Sequence, residues 1–395
     1  MSRPAPRARA TARHSPGPPC DPHPRVALRR ARRGAAASGV PLRPTAAQPS
    51  PRAPLPAQPP LPAPCTLNPL SACWDAWAKT RRVPLWRLLL ALPHGALLDA
   101  VDLSHLEDAL PREAALALLD REAGGRAARE AGLGGRFPGY DTSFGWISHS
   151  DEAIRDGAVR AREAGFRALK LKVGSADPDR DLRRVRVVRE AVGEGVGLAV
   201  DCNQQWSAAT AVRVCEAMAP FGLMWVEEPC HPDDIAAHAA LHERTGVVVA
   251  VGEAIPNRVV FKNFLSAGAC QLAQVDPTRQ AGVGECVAIA LLARSAGVPV
   301  THHVGDMGTI AQHMMPFYRI ALGQPDTVFL EHIPHLAPYL TFPPRVEDGA
   351  YVLPTDAGVG ASTQLLDTAR LLAAGGCTVA AVGADGGAGA VAAVE

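Results

Sequence analysis

Ala199-Val-Asp201-Cys-Asn203, Trp225-Val-Glu227-Glu-Pro229 and Val251-Gly-Glu253-Ala254 follow one plan: a short apolar run closed by an acid. Outward from these three, β-prone runs recur at Tyr140–Trp146, Ala168–Val173, Gly197–Asp201, Met224–Glu227, Val247–Val251, Gln271–Val275, Val298–Thr301 and Thr327–Leu330. Helical patterns lie between them. Leu182, Val185, Val188 and Val192 share one helical face. Asn257 is a good N-cap for a helix carrying Val260, Phe261, Phe264 and Leu265. Short strands alternating with helices over about 190 residues predict a parallel α/β barrel of the (β/α)8, or TIM, type. A doubly wound open sheet is the alternative, but it has no reason to end nearly every strand in a polar residue.

That polar series is Lys172, Asp201, Glu227, Glu253, Asp276, His303 and Glu331, at intervals of 29, 26, 26, 23, 27 and 28 residues. One βα unit takes about this length, so the series marks equivalent positions, which converge on the C-terminal mouth of a barrel. Three carboxylates in one mouth, Asp201, Glu227 and Glu253, repel one another unless a cation lies between them. A hard divalent ion taking oxygen ligands fits, magnesium best. Alone, each acid reads as an ordinary strand-end salt bridge. Lys170 and Lys172 are i and i+2 on a strand and face the same side. Each ammonium disfavours the charge of the other, which is expected to lower a pKa toward the range of a base. Asp276 beside His303 gives an oriented imidazole for proton transfer near neutral pH. Either His302 or His303 can face inward; the spacing to Gly305 favours His303.

Composition brackets this core. Residues 1–65 hold eleven Arg, no Lys, one acid and 17 of the 36 prolines, and read as a disordered Pro/Ala/Arg-rich segment. Arg-rich, acid-poor sequence also reads as a mitochondrial transit peptide, but proline at this density opposes the helix such peptides form. The cytoplasm is the expected compartment. Residues 66–139 read as helical, including one stretch over 105–133, residues 140–364 as the barrel, and residues 365–395 as an Ala/Gly-rich tail with little fixed structure. The nine cysteines include no CxxC pair and read as free thiols. A net charge of +1 and the lack of a long apolar run predict neither a nucleic-acid partner nor a membrane span. No nucleotide-binding loop, nucleophile elbow or zinc-protease motif occurs.

The motifs KLKVG (170–174), AVDCNQQW (199–206), WVEEP (225–229), VGEA (251–254), QVDPTRQAGVGE (274–285), THHVGDMG (301–308) and FLEH (329–332) resemble the mandelate racemase branch of the enolase superfamily. TSFGWISHSDE (142–152), NRVVFKNFLSAGA (257–269) and VDLSHLEDAL (101–110) bring it nearest the L-fuconate dehydratases within that branch. The resemblance covers about residues 66–360. It implies Mg2+ held by Asp201, Glu227 and Glu253, with Lys172 as the base that takes the α-proton and Lys170 beside it. It also implies His303, oriented by Asp276, as the acid that helps the β-hydroxyl leave, Glu331 on the substrate carboxylate and Asn203 near the metal. The family's Lys or His base with magnesium is a stock example of active-site tuning.

Three departures accompany the likeness. The sheet portion of the family's α+β cap is not found, and residues 66–139 read as its helical remnant; mis-called ends are the expected explanation. THHVGDMG differs from the common wording after its histidine, which leaves the sugar open. The tail does not resemble the family's C-terminus. The partners implied are a sugar acid and further copies of the chain in a homo-oligomer. Racemisation or epimerisation of a 2-hydroxy acid by Lys172 and His303 is the second reading, and an inactive barrel that binds partners or metabolites is the third.

Overall fold

The structure, a computed structural model, describes residues 69–305, 309–340 and 343–359. The expectations for residues 1–65 and 365–395 therefore lie outside the described residues.

Five helices come first: α1 (Pro69–Thr80), α2 (Leu85–Ala91), α3 (His94–Asp99), α4 (Arg112–Ala123) and α5 (Arg126–Leu133). The alternating region then runs β1 (Arg136–Asp141), α6 (Asp151–Glu163), β2 (Ala168–Lys172), α7 (Pro178–Val192), β3 (Gly197–Asp201), α8 (Ala208–Met218), β4 (Val226–Glu227) and α9 (Ile235–Thr245). It continues through β5 (Val249–Val251), α10 (Arg258–Ser266), β6 (Leu272–Val275), α11 (Val283–Ser295), β7 (Val300–His302), α12 (Thr309–Leu322) and β8 (Leu330–His332). A hairpin, β9 (Val346–Glu347) and β10 (Ala350–Val352), follows.

The parallel strands pair in chain order from β1 to β7, and β8 returns to pair with β1. Between β7 and β8 the ring is joined by Thr301 Oγ1 donating to the Phe329 carbonyl (2.6 Å) and Gly305 N to the Glu331 carbonyl (3.1 Å). This is the predicted barrel, and the open-sheet alternative falls. Strand alternation splits the apolar residues into two clusters. Leu169, Leu171, Leu198, Val200, Val226, Val249 and Val251 join the large core under the helices. Tyr140, Ala168, Ala199, Trp225, Ala250 and Leu272 form a separate cluster inside the ring.

Local chemistry sets the helix ends. Asn257 accepts from the Val259 and Val260 amides, and Asp177 caps α7, which opens on Pro178. Val185, Val188 and Val192 are buried as the periodicity predicts. Helix α11 is buried on every side, because α1 and α4 cover the face it turns away from the sheet. Residues 101–110 and 257–269 meet in one ion-pair network: Arg258 bonds Asp102 and Glu285, and Lys262 bonds Asp108 at 2.8 Å.

Several expected boundaries move. The first strand is Arg136–Asp141, not Tyr140–Trp146. Pro138-Gly139 reads as a turn, but the strand runs through it because β10 pairs alongside. The chain leaves the sheet at Asp141, whose carboxylate takes the Ser143 amide in an Asx turn. The seventh and eighth strands begin two and three residues later than expected. The expected helix over 105–133 breaks at Gly124-Gly125 into α4 and α5, and 105–110 form turns.

Candidate active site

Each strand delivers its side chain at the C-terminal end of the ring. Lys170 and Lys172 both point inward from β2, as the i, i+2 relation requires. Asp201 and Glu227 close β3 and β4 and are fully buried, and Glu253 follows β5 by two residues at 7% exposure. Gly252 allows that last step: a Cβ there would lie 2.3 Å from the Gln274 carbonyl oxygen, so any larger residue would push β5 off β6. Three carboxylate oxygens, one from each acid, lie within 4.8 Å of one another.

The cations of the site crowd around this trio. Lys172 Nζ is 2.5 Å from Asp201 Oδ2. Lys170 Nζ is 2.7 Å from both Glu227 Oε1 and Glu331 Oε1, and 3.6 Å from Asp201. From the other side His303 Nε2 lies 3.3 Å from Glu253 Oε2, while its Nδ1 sits 2.9 Å from Asp276 Oδ2. Asn203 gives its backbone N–H to Asp201 Oδ1 at 2.9 Å and its side-chain Nδ2 to Asp201 Oδ2 at 3.4 Å. All nine residues singled out in the sequence thus meet at one mouth.

The register choice between the histidines is visible. His302 points away from the mouth, its Nδ1 2.9 Å from the Val275 carbonyl and its ring stacked on Tyr318. Burial drives its pKa down to about 4, so it is a neutral core residue. His303 is held above its ordinary value: burial opposes the charge, but Asp276, Glu331 and Glu253 outweigh it. Asp276 drops to about 2 despite burial, through its bonds to His303 and Thr278.

One of the two lysines departs from the expected lowering. Lys170 does not move toward the range of a base. Burial pulls it down, but the Glu227 and Glu331 carboxylates raise it well above the usual lysine value. It is a fixed cation. Glu331 is its counterpart: burial favours the neutral acid, yet Lys170 and His303 hold it well below the usual range. Its oxygens also accept from Thr142 Oγ1 (2.7 Å) and the Val304 amide (2.8 Å). Glu227 goes the opposite way, pushed well up by burial and the Asp201 charge.

Sequence reasoning missed Arg279, which bonds Glu253 (2.9 Å) and reaches Asp276 (3.4 Å). Its place three residues after Asp276 in QVDPTRQ is the only signal. It also missed Trp225, whose Nε1 donates to Glu227 at 3.2 Å, and Glu228, which burial and Glu253 raise to about 7. Non-glycine residues in the left-handed region follow the site residues closely: Asn203 (φ 44°), Gln204 (φ 67°), Glu228 (φ 40°) and Val304 (φ 47°). Such conformations cost energy and persist where surrounding contacts enforce them. Gln204 supplies one such contact, donating its amide to the Glu228 carbonyl at 2.7 Å and its side chain to the Glu228 carboxylate at 3.0 Å.

Buried, all-oxygen and over-charged, the trio fits a hard divalent cation. The arrangement sets a lysine and an imidazole on two sides of that ion's place, which suits moving protons at a carbon beside a carboxylate.

Known proteins share this fold. The enolase C-terminal domain-like family matches residues 153–368. The chain is 36% identical over 296 residues to mitochondrial enolase superfamily member 1 of Xenopus laevis, covering 73% of this chain and 66% of that protein. The crystal structure of the human protein of that name superposes with a TM-score of 0.70 at 32% identity, over 76% of this chain and 69% of that one. L-galactonate dehydratase of Hypocrea jecorina is 34% identical over 298 residues, 73% of this chain and 66% of that enzyme. L-talarate dehydratase from Polaromonas sp. JS666, solved with Mg and L-glucarate, superposes with a TM-score of 0.58 at 27% identity, over 75% of this chain and 68% of that one. The chain spans about two thirds of the length of these curated relatives. By fold and by family match, the chain belongs to the enolase superfamily.

Proposed function

We propose that the chain is a magnesium-dependent dehydratase of sugar acids, a hydro-lyase. The observation that carries this reading is that Lys172 and His303 reach the carboxylate trio from opposite sides, at Asp201 and at Glu253. Asp201, Glu227 and Glu253 would hold the magnesium, which supplies positive charge against the charge that builds on the substrate carboxylate. As the neutral amine, Lys172 takes the α-proton and becomes the ammonium. His303, protonated and oriented by Asp276, returns a proton to the departing β-hydroxyl, which leaves as water. The enol that remains becomes a 2-keto-3-deoxy acid. Asn203 orients Asp201 near the substrate. Lys170 holds Glu331 and Glu227 in place.

Glu331 is assigned to the substrate carboxylate. Glu331 carries no proton of its own, so contact with a second carboxylate needs one brought by the substrate, and Glu331→Gln, which adds a donor, should retain more turnover than Glu331→Leu. The named activities of the relatives, on L-galactonate and L-talarate, support the sugar-acid class. L-Fuconate is 6-deoxy-L-galactonate, so the fuconate and galactonate readings differ only at C6.

The test is a screen of sugar acids with magnesium, following keto acid and α-proton exchange in D2O together. Keto acid formation that is lost on chelation is expected. Exchange without keto acid overturns the dehydratase in favour of racemisation. Neither signal, with no magnesium bound, favours a binding protein.

A further inference from the structure

Arg184 heads the largest side chains that the fold buries completely, yet among the described residues none of its hydrogen bonds goes to a carboxylate. From α7 its guanidinium donates to three carbonyls: His149 (2.7 Å), Trp146 (2.8 Å) and Gly145 (3.5 Å). All three belong to the segment 142–150 that joins β1 to α6. Arg180, one turn earlier, donates to the Ile147 carbonyl at 2.6 Å. A planar fork can span several acceptors at once, which an ammonium cannot do in fixed geometry.

What this anchor holds is Trp146. The segment lies directly on β2, with the Lys172 amide donating to the Gly145 carbonyl at 2.9 Å. Gly145 permits that approach, since a Cβ there would sit 2.9 Å from the Lys170 carbonyl oxygen. The Trp146 ring centre is then 5.5 Å from Lys172 Nζ, within cation–π range, with the ring of His335, from the short 3-10 helix Pro334–Tyr339 after β8, 5.0 Å away. The Lys172 side chain is only 11% exposed, although it stands at the open end of the barrel.

The geometry points to Arg184 as a positioning residue: it pins segment 142–150 to β2 so that Trp146 covers the Lys172 ammonium and keeps it on the carboxylate trio. Its catalytic consequence rests on the reading of Lys172 as the base; the physical link from Arg184 through Trp146 to Lys172 does not.

The chain has four lysines, Lys79, Lys170, Lys172 and Lys262, so acylation of the full-length, magnesium-supplemented protein, read by peptide mass spectrometry, resolves each one. Lys79, with a side chain 40% exposed, is the internal reference, and Lys170, 1% exposed, reports general opening. Arg184→Met and Trp146→Ala should each raise Lys172 labelling against Lys79 roughly tenfold, and the double variant no further, because both changes break one chain of contacts. Trp146→Phe, which keeps a ring, should stay near the parent. Where sugar-acid turnover is present, kcat falls in both single variants while KM and magnesium affinity hold. Unchanged Lys172 labelling in Arg184→Met, additive effects in the double variant, or Lys170 labelling in step with Lys172 overturns the inference. If Arg184→Met does not fold, Arg184→Lys, which keeps the charge without the fork, takes its place with the same expected rise. A parent protein without turnover on any sugar acid defeats the proposed function, and the labelling still decides the role of Arg184.

Discussion

The two ends of the barrel interior are built by the same strands and touch where Trp225 bonds Glu227, but they differ in almost everything else. At the N-terminal end Tyr140, Ala168, Ala199, Trp225, Ala250 and Leu272 close on one another, with Tyr140 edge-on to Trp225 at 5.2 Å between ring centres. Two residues further along the same strands stand Lys170, Asp201 and Glu227, all fully buried and all charged or charge-coupled. The lower end is cohesive because apolar area is removed from water. The upper end is held by ion pairs whose burial opposes their own charges, a configuration that contributes little net stability but aims its groups. Position along a strand, more than strand identity, decides which task a side chain serves.

The sharpest way to break this contrast is Lys172→Ala. Turnover should fall by about three orders of magnitude while magnesium titration is nearly unchanged, since the lysine is not a ligand; normal turnover removes the upper end from the chemistry. At the lower end Leu272→Ala should cost roughly 2–5 kcal/mol in denaturant unfolding and leave magnesium affinity alone, and a loss of affinity would mean that the two ends are not separable. Magnesium at about 100 times its dissociation constant should stabilise the parent by about 2.7 kcal/mol. Asp201→Asn should abolish that shift in calorimetry.

The contrast between adjacent histidines yields a smaller effect. His302 has a folded pKa of about 4, below the value near 6.5 of an exposed imidazole. The unfolded chain therefore binds the extra proton, and stability, full above about pH 6.5, falls by about 1.4 kcal/mol per pH unit down to the folded pKa. His302→Gln should reduce the slope of unfolding free energy between pH 6.5 and 4.5 by that one proton. Least of all, Asp102→Asn at the edge of the α10 network should cost under about 1 kcal/mol, because its side chain is 64% exposed. A larger drop in melting temperature would show that the helical layer depends on that pair.

How much of this was legible beforehand differs by element. The strand-end series was plain because one βα unit repeats at nearly constant length, so chemistry recurs at nearly constant interval. The helices α7 and α10 were plain from one apolar face and one N-cap. The first strand was displaced because Pro138-Gly139 has the local chemistry of a turn, and only pairing with β10 overrides it. Arg279 and Trp146 lie in loops without period, and beyond the place of Arg279 three residues after Asp276 nothing in the chain order marks them as reaching Glu253 or Lys172.

The sequence alone determined that this chain alternates short strands with helices, places one polar residue at the end of nearly every strand, and sets two lysines on one strand face, because period and spacing are local properties of a polymer. Only the tertiary structure decided what those groups do to one another. Lys170 lies beside Lys172 in the chain, but its charge is governed by Glu227, 57 positions away, and by Glu331 from the last strand. Electrostatic interaction follows distance through space, and closing the ring sets that distance.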